Sequence, residues 1–141
     1  MTTQLTPLSR VECLNLLESN EVGRIAVIHD GAPLVFPVNY RIADHEHVKV
    51  IAIRTRADNA IDQPDSPVAF EIDSADLAHG TGWSVLVRGM LRVVHAGTDM
   101  DSRPLVSEGR TAWRVIVPDT ITGRRVEPDP AGWTYNPAAY L

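Results

Sequence analysis

A chain of 141 residues, 44% apolar and 22% charged, is long enough to bury a core as one domain spanning 1–141 and too apolar for a disordered tract. A net charge of −5 argues against a nucleic-acid partner, because a phosphate backbone is met by a basic face. The lone Cys13 leaves no internal disulfide or cysteine-rich metal site, and no window approaches the ~18 consecutive apolar residues of a membrane span. With no basic-then-apolar leader in "MTTQLTPLSR", the expected location is the cytoplasm, with no membrane partner.

The stretch "LSRVECLNLLESN" predicts a helix. Ser9 and Glu12 have capping-box spacing, Leu8 can staple onto Cys13, and Val11, Leu14 and Leu17 recur on one apolar face. Cys13 beside that face reads as core filler, because no histidine accompanies it. Strand patterns follow. "VGRIAVI" turns through "HDGAP" into "LVFPVNYRI", and "ADHEH" turns into "VKVIAIRT". The polar "RADNAIDQPDS" predicts one short helical turn capped by Asp58. "PVAFEID" and "WSVLVRGMLRVV" are further strands, "TDMDSRPLV" a second helical turn, and "AWRVIV" the last strand, with an extended tail from Pro118.

Six strands joined by short turns predict a mainly β (α+β) fold, an antiparallel six-stranded split β-barrel with an N-terminal helix and short additional helical turns. Pro37 offers no N–H to a ladder, so its place in a strand marks a bulge or the point where the barrel opens. Gly89, inside an apolar strand, marks a bend or the close approach of another backbone.

Few residues suggest chemistry. His45 and His47 form an H-x-H pair, yet they fall in a hairpin turn with no further ligands at matching spacing. No nucleophile elbow, dinucleotide fingerprint or P-loop occurs. "IRTR" ends a strand with Arg54, Thr55 and Arg56 ahead of the predicted turn at Asp58 and Asn59, which suits a phosphate. Solvated charges at a strand exit are the plainer reading of the same residues. Arg88, within an apolar run, is expected to pair with Glu71 or Asp73 of "AFEID".

The ordered set "GRIAV", "PLVFPVNY", "IRT", "SPVAFEID", "GWSVLVRG" and "TGRR" resembles the pyridoxamine 5′-phosphate oxidase-like family of flavin-binding split barrels, in its small actinobacterial form, over about residues 8–125. The resemblance implies a homodimer with FMN at the subunit interface and a small-molecule redox substrate. It implies further that Val38, Asn39 and Tyr40 line the flavin ring and that Arg54, Thr55 and Arg56 meet its phosphate. Trp83 and Ser84 would come from a neighbouring strand or subunit. Relatives carry a basic residue where this chain has Asn59, with Asp58, Asp62 and Asp65 around it. Two other readings use the same barrel: a deazaflavin-dependent reductase, and a non-catalytic ligand-binding protein with no cofactor.

Overall fold

The computed structural model describes residues 4–56, 61, 65–94 and 111–128. Both expected helical turns, together with Asp58, Asn59 and Asp62, lie outside the described residues.

The helix forms as its caps dictate. In α1 (Arg10–Glu18) the Glu12 N–H donates to Ser9 Oγ at 3.2 Å and the Ser9 N–H donates to Glu12 Oε2 at 2.7 Å. That reciprocal bond holds the Glu12 carboxyl below its ordinary range. Of the expected face, Leu17 is buried and Leu14 packs half-buried against the core, whereas Val11 is exposed and Cys13 is buried in its place. Leu8 and Cys13, the staple pair, both reach Gly123, where a Cβ would lie 2.7 Å from Cys13 Sγ and 3.0 Å from Leu8 Cδ1. Only a residue without a side chain lets the helix sit that close to the sheet.

The described residues form seven strands: β1 (Gln4–Pro7) ahead of the helix, then β2 (Val22–His29), β3 (Ala32–His45), β4 (Val48–Arg56), β5 (Ser66–Asp76), β6 (Thr81–Val94) and β7 (Thr111–Glu127). All pairs are antiparallel, and the pairing of β6 with β7 closes β2–β3–β4–β7–β6–β5 into a ring of six. β1 is the seventh, fully exposed and paired to the far end of β7, so the expected count of six describes the ring and not the whole sheet. The first two hairpins turn through Asp30–Gly31 and Glu46–His47, all four with positive φ, the twist that two-residue turns require. That places His47 in the turn itself.

The last strand corrects the sequence reading. β7 runs through Pro118 and Gly123 to Glu127, where an extended tail was expected. Pro118 is tolerated because the ladder is already irregular there: Arg88 faces Thr120 while Gly89 faces Pro118.

The interior alternates as pleating demands. Ile25, Val27, Tyr40, Ile51, Ile53, Phe70, Ile72, Val85, Val87, Leu91 and Ile116 fill the barrel, and Leu17 plugs it from the helix. A second cluster, Ala43, Val50, Ala52 and Val115, packs on the outside of β3, β4 and β7.

The barrel splits at β3. Residues 32–39 pair with β2 and residues 40–45 with β4, so the ladder changes partner between Asn39 and Tyr40. Pro37 keeps regular register with Arg24 on the β2 side, and among the described residues no strand pairs with its β4 side. It marks the opening, with no bulge on the β2 side.

Candidate functional site

Alternation along β3 sorts the residues flanking the split. Val38 and Tyr40 turn inward: Val38 packs against the core and Tyr40 is only 6% exposed. The Tyr40 hydroxyl donates to the Leu17 carbonyl at 2.6 Å, and its ring meets Phe70 edge-on at 4.8 Å between centroids. Burial pushes this phenol up to about 12. The phenol expected beside a ligand thus anchors the C-terminal end of α1 from inside, while Tyr40 also contributes to the lining of the adjoining cleft.

Asn39 and Arg41 turn outward, onto the face of the second cluster. Arg41 pairs in register with Ala52, and its guanidinium stacks 5.0 Å over the Trp113 ring. Arg54 is exposed and sits opposite Trp113 on the neighbouring ladder. Continuing the β3–β4 register by one residue brings Arg54 abreast of Asn39, at the point where the strands part. An amide, two guanidinium groups and an indole thus share one outer face, with Ala52 and Val115 fully buried beneath them. Thr55 and Arg56 continue β4 opposite Ala112 and Thr111.

A cleft of about 470 Å³ adjoins this face, between the end of α1 and β3, and includes Glu18, Glu21, Asn39 and Arg41 in its lining. The size is ordinary for a small-molecule site.

Trp83 and Ser84 are not part of this group within one chain. Trp83 packs against the barrel core, and Ser84 faces outward on β6, three strands round from β3. Arg41 and Trp113 are the residues that sequence reasoning missed. The signal for Arg41 was period-two spacing from Asn39 on β3; Trp113 reaches this face only through the β4–β7 register.

Arg88 does not take the expected partner. It is exposed and lies across from Ala69. Arg24, directly opposite Glu71, donates to Glu71 Oε1 at 2.8 Å and lies 2.6 Å from Asp73 Oδ2. Burial and the neighbouring Asp73 hold the Glu71 carboxyl above its ordinary range, against the pull of Arg24. Among the described residues no group of three metal-ligating side chains occurs, and no helix is long and apolar enough to cross a membrane.

Known proteins share this architecture. The FAD binding protein of Mycobacterium smegmatis superposes with a TM-score of 0.67 at 31% identity, covering 86% of this chain and 98% of that one. A conserved protein of unknown function, DIP1874, from Corynebacterium diphtheriae superposes with a TM-score of 0.67 at 26% identity, covering 85% and 96%. The uncharacterized protein Rv0080 of Mycobacterium tuberculosis is 29% identical over 139 residues, 89% of this chain and 88% of that protein. The sequence profile of pyridoxamine 5′-phosphate oxidase matches residues 9–125, most of the barrel with its helix, and the chain belongs to that family.

Proposed function

We propose that this chain is a flavin-dependent oxidoreductase of the cytoplasm, acting as a homodimer on a small-molecule redox substrate. The observation that carries the reading is the outer face at the split, where Asn39, Arg41 and Arg54 converge beside Trp113. A flavin nucleotide asks for a hydrogen-bonding group at its pyrimidine edge, cations for phosphate and an apolar flank for its rings. Asn39 supplies the first, Arg41 and Arg54 the second, and the half-buried Trp113 the third. The residues fit the group.

When bound, the flavin supplies hydride or single-electron transfer. The chain's own residues bind and orient. Arg41 is pre-positioned by its stacking on Trp113, so less side-chain freedom is lost when it grips an anion. Asn39 is paired to Val22 of β2 and lies where the β3–β4 ladder ends, so its outward amide can donate to a negative charge on a ring system.

FMN, with a single phosphate, is the cofactor two guanidinium groups can hold. FAD is the second reading, favoured by the 31% identical FAD binding protein of Mycobacterium smegmatis. Dimerisation is supported by apolar Val22, Pro37 and Leu86, which lie exposed on the outer face around the Arg24–Glu71–Asp73 cluster.

The test is fluorescence titration of flavin-free protein with riboflavin, FMN and FAD. Replacing Arg41 and Arg54 together by Gln should weaken FMN binding by roughly two to four decades, at ~1.5–3 kcal/mol per charge-assisted bond. Riboflavin should bind wild type and double variant alike. If wild type binds none of the three at tens of micromolar, the proposal fails.

A further inference from the structure

A second groove, of about 440 Å³, lies at the other end of the outer face formed by β2, β5, β6 and β7. Its wall is apolar: Ala26, Ile28, Pro67 and Ala69. Its floor is made by the irregularity in the β6–β7 ladder. Arg88 faces Thr120 and Gly89 faces Pro118, so Asp119 is an extra residue in β7. The arrangement requires glycine, because a Cβ at Gly89 would overlap the Val117 carbonyl oxygen. Such bulges break a ladder and re-aim neighbouring side chains.

Here the bulge brings one cation and one anion to the same apolar groove without pairing them. Arg88 and Asp119 both line it and both are exposed. Among the described residues neither lies within 4.0 Å of an opposite charge, the other included. No ion pair among the described residues offsets the charge of either group. A ligand carrying both charges would satisfy each.

We propose that this groove is a small-molecule site for an α-amino acid with an apolar side chain. The carboxylate lies on Arg88, the ammonium on Asp119, and the side chain against Ala26, Ile28 and Ala69. The site is separate from the flavin face and does not depend on that reading.

The experiment is a titration of the full chain, followed by amide ¹H–¹⁵N shifts and calorimetry, with three probes of one carbon skeleton. These are L-leucine, 4-methylpentanoate, which lacks the ammonium, and 3-methylbutylamine, which lacks the carboxylate. L-Leucine should move the amides of Ala69, Arg88 and Thr120 saturably, and each single-charge probe should bind about tenfold weaker or worse. Arg88→Gln and Asp119→Asn, both exposed substitutions that leave the fold intact, should each weaken L-leucine by about tenfold or more. Absence of saturable shifts at tens of millimolar, or equal binding of the three probes, overturns the proposal. So does conversion of a dimer to monomers by Arg88→Gln in light scattering, which would make the groove a contact between copies.

Discussion

Tyr40→Phe tests how the helix is fastened over the barrel. The Tyr40 hydroxyl donates to the Leu17 carbonyl at 2.6 Å from a site that is 6% exposed. Phe keeps the ring and its edge contact with Phe70, so the change isolates one buried hydrogen bond and leaves a helix C-terminal carbonyl without that donor. The expected loss is ~1–3 kcal/mol. Unfolding entropy of about 2.1 cal/mol/K per residue, taken over the chain, converts this to a fall in Tm of roughly 3–10 °C.

The same group gives an independent alkaline signature. Its pKa is raised from 10.0 to about 12 by burial. Stability from the neutral phenol is fully present below pH ~10 and is lost as pH rises towards ~12. The full loss is ~2.7 kcal/mol, about half of it reached near pH 11. The variant has no such proton to lose. Urea unfolding by circular dichroism at pH 7 and pH 11 should therefore show a gap between the proteins that shrinks by ~1.4 kcal/mol at the higher pH. A variant as stable as wild type at pH 7, or a gap that stays constant with pH, refutes the reasoning.

Gly123→Ala should cost ~1–3 kcal/mol by pushing Cys13 off the sheet, and pairing it with Cys13→Ala should recover part of that in a double-mutant cycle; additive losses would mean the helix already tolerates the methyl. Arg24→Met should cost ~0.5–1 kcal/mol at pH 7, since the pair is only half buried. That cost should shrink as pH falls through the raised Glu71 range and the stranded Glu71 carboxylate takes up a proton; equal melting shifts at pH 7 and pH 4 would contradict it. Arg88→Gln should change stability by less than ~0.5 kcal/mol in thermal unfolding, where a larger loss would restore the buried ion pair expected from sequence. Light scattering should show a two-fold dimer, and a species of monomer mass alone at micromolar concentration would remove the assembly from the proposed function.

Most of the barrel was legible because its strands are local patterns closed by short turns. Asp30–Gly31 and the capping box at Ser9 and Glu12 are signals that need no tertiary knowledge. What failed depended on partners far away in sequence. β7 was cut short at Pro118 because a proline ends a strand unless the opposite strand carries a bulge, and Gly89 supplies that irregularity from β6. β1 is a short exposed stretch with no apolar alternation, visible only once the end of β7 offers it a ladder. The acids at Glu71 and Asp73 were expected to hold an arginine, and they do. The choice of Arg24 over Arg88 is set by the β2–β5 register, in which Arg24 stands directly opposite Glu71.

The site is a sharper case, because its logic lies in a change of strand partner. Asn39 and Tyr40 adjoin in sequence and face opposite ways, so a motif spanning both mixes one outward amide with one inward anchor. Given that the ladder switches from β2 to β4 between them, period two selects Asn39 and Arg41 on the outside. The adjoining register then brings Arg54 and Trp113 to the same face. Pro37 is part of that outcome. A strand edge with no partner can carry a residue that donates no hydrogen bond, and the edge it helps keep open is where the polar groups meet.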